Sequence, residues 1–314
     1  MIDRTSFSDF LRNIRHFFYE EKFIETFTPT LVEAPGVEVH LQYFKTQYED
    51  LAGKKNNLFL RSSPELAMKT LLFQGSPDLF QISPCFRNRG ELGVWHRPEF
   101  LMLEYYQNHV SFDDFTLQFV ELVKFLDSKM LGIFQKITCV TFSVFELFSD
   151  VVGMDLIDRD PELGKKAAAK KIISVNKTDD FETAFFKIML DVIEPFLKSH
   201  RFAILNDYPE SQAILSKIKD GRAQRFECYL DGVEICNAFD ELLDANLNRI
   251  QIKNASEVRV ALGFEPLTVD EVFLKHMANF NSESKLCGNA VGLERLFSCL
   301  SNKKSLQSLL EVDL

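Results

Sequence analysis

Residues 84–107 read PCFRNRGELGVWHRPEFLMLEYYQ, and this stretch decides how the chain folds. The apolar run from 98 to 107 predicts a β-strand, in which successive side chains point to opposite faces. One face then carries Phe100, Met102, Glu104 and Tyr106, and the other carries Leu101, Leu103 and Tyr105. A carboxylate in the middle of an apolar strand needs a partner. Glu104 therefore marks a structural ion pair or an edge strand, or else the floor of a pocket in which Glu104 and Tyr106 bind an ammonium group.

The loop before this strand carries three arginines, Arg87, Arg89 and Arg97, around a glycine-containing turn. The planar guanidinium group suits the oxygens of a phosphate, and the ring of Phe100 offers a face to a base. The segment is thus either a nucleotide site or a solvated basic turn.

Outward from this stretch, hydrophobic periodicity and turn residues predict the other elements. Ser63, Pro64 and Glu65 predict a helix start, with Ser63 at the N-cap and Pro64 at the first helical position. The charged stretch 150–178 is predicted to lie on the surface and outside the core. Helices are predicted at 6–20, 111–131, 180–199, 239–250, 268–280 and 292–301, and strands at 22–29, 58–62, 79–83, 98–107, 200–206 and 224–237. Hairpin-connected strands of this kind indicate one mixed α+β domain with a mostly antiparallel sheet flanked by helices.

Two carboxylates, Glu234 and Glu241, stand at the end of the last hairpin. Such a pair can hold Mg²⁺ against phosphate oxygens, although two glutamates at this spacing are often surface residues. Alternation places Glu234 and Asn237 on opposite faces of the strand unless a bulge intervenes.

Near the C-terminal end, CGNAVGLERLF (287–297) places Gly288 and Gly292 before an apolar helix and Arg295 in its first turn. Small residues let the backbone approach a ligand, and an arginine at a helix start favours phosphate.

Composition limits the function classes. The chain has 314 residues, a net charge of −10 and a hydrophobic fraction of 46% with 31 phenylalanines, which excludes a disordered chain. No apolar run reaches about 18 residues, so no membrane segment is predicted and we expect a cytoplasmic protein. The acidic charge argues against nonspecific binding of polyanions by bulk electrostatics.

Taken in order, these segments resemble the class II aminoacyl-tRNA synthetases of the lysine type. The helix and strand at about 7–31 look like motif 1, residues of about 80–107 look like motif 2, and about 288–301 look like motif 3. SSPELAMK (62–69) and RFECYLDGVEICNAFDEL (225–242) resemble the amino-acid and Mg-ATP segments. The resemblance implies a single class II catalytic domain over 1–314.

The resemblance also implies roles for individual residues. Arg87 would hold the α-phosphate of ATP, Phe100 would stack on adenine, and Arg295 would hold the γ-phosphate. The implied catalytic residues are Arg87, Arg295 and Glu241, and the implied magnesium ligands are Glu234 and Glu241. The implied ATP-binding residues are Arg87, Asn88, Arg89, Glu91, Arg97, Phe100, Glu234, Ile235, Gly292 and Arg295. The implied substrate-binding residues are Ser63, Pro64, Glu65, Glu104, Tyr106, Asn237, Glu241 and Ala290, among which Glu65, Glu104 and Tyr106 would bind the two amines of a lysine.

The chain departs from the family pattern in three places. The His-Asn-Pro-Glu-Phe segment of the family is His96-Arg97-Pro98-Glu99-Phe100 in this chain. Motif 2 of the family reads Arg-Asn-Glu, whereas Arg89 follows Asn88 here and Glu91 comes two residues later, so Glu91 is the predicted substitute in adenine recognition. The Gly-Phe-His-Glu segment of the family is Ala238-Phe239-Asp240-Glu241 in this chain.

Motif 1 begins within the first 30 residues, so we expect no anticodon-binding domain. Freestanding cores of this kind are similar to the elongation factor P lysine lysyltransferases, and YPESQAIL (208–215) and Ala290 fit that group. The resemblance implies ATP and Mg²⁺ as cofactors, (R)-β-lysine or lysine as the substrate, an aminoacyl-adenylate intermediate and a lysine of elongation factor P as the acceptor. It also implies a homodimer through motif 1 and no tRNA partner. Two alternatives are a truncated synthetase paralogue that acts on another acceptor such as tRNA, and a noncatalytic paralogue that binds an amino acid or a partner protein.

Overall fold

The computed structural model describes residues 4–89 and 93–304, with side chains from Ser6 onward. The helices are α1 (Arg4–Glu20), α2 (Glu65–Phe73), α3 (Phe112–Ser128), α4 (Val144–Leu147), α5 (Leu163–Ala169), α6 (Phe181–Ile188), α7 (Glu194–Leu197), α8 (Ala245–Ala261), α9 (Glu271–Met277) and α10 (Leu293–Leu300). Two π-helical segments, Phe148–Val152 and Met189–Ile193, follow α4 and α6, and short 3₁₀ turns lie at Lys198–His200 and Glu210–Gln212.

The strands are β1 (Ile24–Glu25), β2 (Leu31–Val32), β3 (Lys45–Glu49), β4 (Lys55–Leu60), β5 (Leu79–Phe86), β6 (Glu99–Asn108), β7 (Val140–Ser143), β8 (Phe202–Asn206), β9 (Tyr208–Pro209), β10 (Ile218–Lys219), β11 (Arg222–Ala223), β12 (Arg225–Leu230), β13 (Val233–Asp240) and β14 (Leu286–Gly292). The chain forms two compact units, one of Met1–Gly132 with Asp240–Leu314 and one of Ile133–Phe239.

In the first unit, β5, β6 and β14 pair antiparallel, and β1 joins β5 in parallel. Strands β2, β4 and β3 form a separate antiparallel sheet. A short loop joins the antiparallel pair β3 and β4, whereas β14 pairs with β6 from the far end of the chain. The predicted α+β class with a mostly antiparallel sheet is confirmed.

One face of β5 and β6 is core. On α1, Phe10, Ile14 and Phe18 are buried, and the Phe18 ring packs 4.9 Å from the rings of both Phe80 and Tyr105. Because α1 covers the Tyr105 side of the sheet, alternation turns the neighbouring residues of β6 to the opposite face. That opposite face carries the polar residues of the candidate site.

In the second unit, β12 pairs antiparallel with β8 and β13, and β7 joins β8 in parallel. Strands β9 to β11 form a small antiparallel sheet. The prediction that 150–178 lies on the surface and outside the core is wrong, because Leu156, Leu163, Ala167 and Val175 are buried in the core of this unit. These apolar residues stand at irregular spacings between charges, so no periodicity marks them.

Several predicted boundaries also change. The strand predicted at 22–29 shrinks to Ile24–Glu25, and the next paired residues belong to the other sheet. The helix predicted at 180–199 is interrupted by the π-helical segment that follows α6. The helix predicted at 239–250 begins only at Ala245, because β13 continues to Asp240 and Asp244 caps the helix.

The helix α2 begins one residue later than predicted, at Glu65, with Pro64 at the N-cap. The Ser63 hydroxyl still accepts a hydrogen bond from the Glu65 backbone N–H at 2.9 Å. Among the helices of the described residues, none combines the length and the apolar character needed to cross a bilayer.

Candidate functional site

The floor of the site in the first unit is the polar face of β6. Glu104 is buried, and its two carboxylate oxygens accept hydrogen bonds from the Tyr106 hydroxyl and from the Ser63 hydroxyl, the latter at 2.6 Å. Strand alternation therefore brings Glu104 and Tyr106 together, and the start of α2 supplies Ser63. The carboxylate is held in one orientation by two donors.

A lysine that sequence reasoning did not single out lies at the centre of this site. The Lys69 ammonium makes ion pairs with Glu65 at 2.6 Å and with Glu241 at 2.5 Å, and the Lys69 side chain is only 3% exposed. It also lies 5.6 Å from the centre of the Tyr106 ring. The Glu65 and Lys69 spacing of four residues on one helix was the available signal. That spacing usually marks a surface pair, so it did not point to a buried one.

These contacts leave an acidic surplus. Glu65, Glu104 and Glu241 contribute three carboxylates, and Lys69 is the cation that the described structure places in ion-pair contact with two of them. Arg61, close to Glu104, gives its hydrogen bonds to backbone oxygens and to a threonine hydroxyl. Unpaired charges are costly to bury, so a site of this kind favours a cationic ligand.

The pKa values of the clustered groups reflect the same excess of carboxylates over cations. Burial, reinforced by the charge of Glu65, raises the pKa of Glu104 to about 7. Burial also raises the pKa of Glu241 to about 8, although Lys69 opposes this shift. Burial alone lowers the pKa of Lys69, but Glu241 and Glu65 outweigh it and raise that pKa above its usual value. An added positive charge would thus hold both carboxylates ionised.

Strand β14 closes over this floor through a glycine. Gly288 pairs with Tyr106 across the strands, and Ala290 pairs with Glu104. A Cβ atom on Gly288 would stand 2.3 Å from Cε1 of Tyr106 and 2.4 Å from Oε1 of Glu241. No side chain fits in that space, so the glycine is what lets the backbone approach the acidic cluster.

A cavity adjoins the cluster within the same unit. It has a volume of about 420 Å³, and its lining includes Gly36, Ser63 and Glu65. Three of the substrate-binding residues predicted from the sequence, Ser63, Pro64 and Glu65, therefore border an open space large enough for a small ligand.

The motif 2 arginine is poised beside its predicted aromatic partner. The Arg87 guanidinium lies 5.1 Å from the centre of the Phe100 ring. Its Nε atom is buried without a hydrogen-bond partner among the described residues. A buried donor of this kind is costly unless a ligand satisfies it, which fits the phosphate oxygen that the resemblance implies.

The loop beyond Arg87 is fixed by its own hydrogen bonds. The Asn88 backbone N–H donates to the Gln42 carbonyl at 2.9 Å, and the Asn88 side chain accepts from the Arg89 N–H at 2.9 Å. Arg89 adopts a left-handed backbone conformation with φ of 52°. Glu91, the predicted adenine contact, lies outside the described residues.

The motif 3 helix is tied to motif 2. The Arg295 Nε donates to the Trp95 carbonyl at 3.1 Å, and the Leu101 N–H donates to the Glu294 carboxylate at 2.7 Å. Burial raises the pKa of Glu294 to about 7, and the charge of Arg97 opposes this shift. Glu294 was not anticipated as a site residue, and Gly292 serves as the N-cap of α10.

In the second unit, a β-bulge reverses the alternation of β13. Cys236 pairs with Cys228, but Glu234 pairs with the adjacent Tyr229, so Ile235 is the extra residue. The bulge places Glu234 and Asn237 on the same face of the strand, whereas regular alternation would place them on opposite faces. The Asn237 Oδ1 atom is buried without a hydrogen-bond partner in the described part of the chain.

A polar network lies on that same face of the second unit. The Glu227 carboxylate accepts from the hydroxyls of Tyr208 at 2.5 Å and Tyr229 at 2.7 Å, and from Arg225 at 2.5 Å. Glu227 pairs across the strands with Asn237. The network holds the residues beside Asn237 in fixed orientations.

The chain was compared with known proteins. The family of tRNA synthetases class II (D, K and N) matches residues 5–311. A protein of Sodalis glossinidius is 34% identical over 290 residues, which cover 90% of this chain and 86% of the relative. A protein of Mannheimia succiniciproducens is 33% identical over 306 residues, covering 96% and 91%. Both carry the name elongation factor P–(R)-β-lysine ligase. A protein of Aquifex aeolicus, named as a homolog of that ligase, is 30% identical and covers 95% of each chain.

These matches confirm the predicted class II synthetase fold and the predicted resemblance to the elongation factor P lysine ligases. They also confirm that the chain is a ligase of the type that forms an aminoacyl adenylate. The roles predicted for individual residues stay predictions.

Proposed function

Because the chain belongs to the family of class II tRNA synthetases for aspartate, lysine and asparagine, we propose that it activates (R)-β-lysine or lysine with ATP and transfers it to a lysine side chain of elongation factor P. Similarity to relatives named elongation factor P–(R)-β-lysine ligase supports this acceptor and this substrate. We also propose that residues 1–314 form a single catalytic domain that acts as a homodimer in the cytoplasm, without tRNA.

The observation that carries the proposal is the acidic surplus around Lys69. A substrate with two ammonium groups would bring the positive charge that Glu65, Glu104 and Glu241 lack. A substrate with an apolar side chain would leave Glu104 buried without a cation. The cluster therefore favours a diamino acid over the other amino acids.

The first step forms the adenylate. A carboxylate oxygen of the substrate attacks the α-phosphorus of ATP, a bond forms between them, and pyrophosphate leaves. Arg87, whose buried Nε lacks a partner within the described residues, would donate to the α-phosphate as negative charge develops there. Phe100 would stack on the adenine, and Arg295 would hold the γ-phosphate. This chemistry relies on positioning and charge and needs no protein nucleophile.

Magnesium is expected with ATP, where it would neutralise the charge of the phosphates. Mg²⁺ in such sites takes one or two carboxylates together with phosphate oxygens and water. Glu234 and Glu241 are the carboxylates proposed to hold it. The donor set of two carboxylates fits the ion, and one oxygen of Glu241 also contacts Lys69.

In the second step, the uncharged amine of the acceptor lysine attacks the carbonyl carbon of the adenylate. An amide bond forms, AMP leaves, and the amine loses a proton. Transfer of the same acyl group to the hydroxyl of a tRNA would be the competing second step, and the experiment below separates the two acceptors.

Exchange of labelled pyrophosphate into ATP tests the first step, with β-lysine, lysine or no amino acid present. We expect exchange that depends on either diamino acid. Mass spectrometry of elongation factor P after incubation with enzyme, ATP and β-lysine tests the second, and we expect a mass gain of one β-lysyl group on a lysine. Absence of exchange with any amino acid would contradict the ligase, and transfer to tRNA alone would contradict the protein acceptor.

A further inference from the structure

Glu38 is an acidic residue near the site to which nothing above gives a role. It lies between β2 and β3, and it is only partly exposed. The Tyr43 hydroxyl donates to its carboxylate at 3.2 Å. Arg259 of α8 donates to the Glu38 carbonyl at 2.9 Å and also binds the carbonyls of Val39 and Leu41. A buried arginine therefore fixes this segment of backbone, and the carboxylate projects from a rigid support.

The carboxylate of Glu38 lies beside Gly36, a residue that lines the cavity described above. A Cβ atom on Gly36 would stand 2.4 Å from Oε2 of Glu38 and 2.7 Å from Oγ of Ser62. Gly36 lines the cavity together with Ser63 and Glu65. Glu38 therefore occupies space that a side chain at Gly36 would fill, beside the start of α2.

Arg87 and Glu65 are the charged groups that act most strongly on Glu38. Burial raises the pKa of Glu38, while Arg87 opposes this rise and Glu65 adds to it. Within the described residues, Glu38 has no ion pair, and its carboxylate contact is the Tyr43 hydroxyl. The Oε2 atom of Glu38 stands beside Gly36 at the cavity and accepts from one hydroxyl, and a carboxylate oxygen can accept a further hydrogen bond from an ammonium group.

We propose that Glu38 binds the ammonium group nearest to the carboxylate of the substrate, and that it acts together with Glu65. The inference rests on the proposed function. In that reaction Arg87 marks the place where the substrate carboxylate meets the α-phosphate. The Glu38 carboxylate stands beside Gly36, which lines the same cavity as Glu65, and the charge of Arg87 acts on it, so we place it at the carboxylate end of the substrate. Glu104 and Tyr106 are then left for the distal amine.

This position makes Glu38 a determinant of specificity. Lysine and β-lysine share the distal amine but differ in the near one, which stands one carbon–carbon bond, about 1.5 Å, further from the carboxylate in β-lysine. A carboxylate that Tyr43 binds, on a backbone that Arg259 fixes, cannot follow such a shift freely. The geometry of the Glu38 support therefore contributes to the choice between the two substrates.

The test compares the wild type with Glu38→Gln, which keeps the size of the side chain and removes its charge. Pyrophosphate exchange with β-lysine and lysine gives kcat/KM, and calorimetry gives the Kd of ε-aminocaproate, which has the distal amine but no amine near the carboxylate. We expect kcat/KM for the preferred diamino acid to fall by roughly 10- to 100-fold. We expect the Kd of ε-aminocaproate and the KM of ATP to change less than about twofold, because neither ligand engages Glu38. Glu38→Asp should recover part of the loss.

Equal losses for the diamino acids and ε-aminocaproate would overturn the proposal, because Glu38 would then serve a feature that all three share. A raised KM for ATP alone, or no change at all, would overturn it too. Thermal unfolding of the Glu38→Gln variant checks that the variant is folded at the assay temperature, so that a loss of activity reflects the site and not unfolding. If the wild type itself neither exchanges pyrophosphate nor binds any diamine, the proposed function fails. If the wild type is active and Glu38→Gln is equally active, only the role of Glu38 fails.

Discussion

Replacing Lys69 by methionine removes the buried cation and keeps most of the side-chain volume. The Lys69 ammonium contacts Glu65 at 2.6 Å and Glu241 at 2.5 Å, and the side chains of Lys69 and Glu241 are 3% and 2% exposed. Breaking a buried ion pair by removing one partner costs about 3–5 kcal/mol, because the other charge is left uncompensated. We expect Lys69→Met to lower the free energy of unfolding by that amount at pH 8.

The loss should shrink as the pH falls. Burial already raises the pKa of Glu104 to about 7 and that of Glu241 to about 8 in the presence of Lys69. Without the cation these values rise further, so the folded state binds more protons than the unfolded state above the ordinary carboxyl range near pH 4.5. Stability must therefore fall as pH rises through this window, and more steeply in the variant than in the wild type. At pH 5 we expect a difference of roughly 1–3 kcal/mol.

The assay is urea unfolding followed by circular dichroism at pH 5 and pH 8. Lys165→Met is the matched control, since Lys165 makes an ion pair with Glu162 while 66% of its side chain is exposed. Its stability should stay close to that of the wild type at both pH values. A loss in Lys69→Met no larger than in the control, or a loss that does not depend on pH, would refute the idea of an acidic surplus held by one lysine.

Three further substitutions test other parts of the site and fold. Gly288→Ala should lower the free energy of unfolding by about 1–3 kcal/mol and abolish lysine-dependent pyrophosphate exchange, because its Cβ would stand 2.3 Å from the Tyr106 ring; urea unfolding and exchange measure both. Arg87→Met should slow exchange by roughly 100-fold or more while thermal stability stays near that of the wild type, because the buried Nε of Arg87 has no hydrogen-bond partner within the described residues to lose. Asp244→Ala should cost about 1 kcal/mol in urea unfolding, because Asp244 caps α8, and exchange should persist.

Strand alternation predicted the part of the site that depends on local pattern. It placed Glu104 and Tyr106 on one face of β6 and Tyr105 on the other, and the structure has them so. The prediction succeeds because the core face is apolar from Leu101 through Leu103 to Tyr105, and a shift of one residue would turn these side chains away from the core.

The burial of Lys69 could not be predicted from the local sequence pattern. Its pairing with Glu65 is visible in the sequence, but its burial depends on Glu241, which arrives from the other end of the chain. Nothing in the sequence around Lys69 distinguishes a buried ion pair from an exposed one, since both obey the same helical spacing. Tertiary packing determines whether such a pair is buried or exposed.

The bulge at Ile235 could be predicted only in part from the sequence. Alternation alone separates Glu234 from Asn237, and an inserted residue unites them. The sequence gives both chemical groups but no mark of the insertion, because Ile235 and its neighbour Cys236 are both apolar enough to be buried. The paired strand β12 decides which of them is extra.

The acidic cluster also links stability to selectivity. Burial and the charge of Glu65 raise the pKa values of Glu104 and Glu241 although Lys69 opposes both shifts, and this strain lowers the stability of the unliganded fold. A diamino acid relieves it by adding positive charge, so part of its binding free energy comes from removing a cost already present in the protein. A ligand without amines gains nothing from this source. The surplus that weakens the free enzyme is therefore the same feature that makes it prefer a lysine-like substrate.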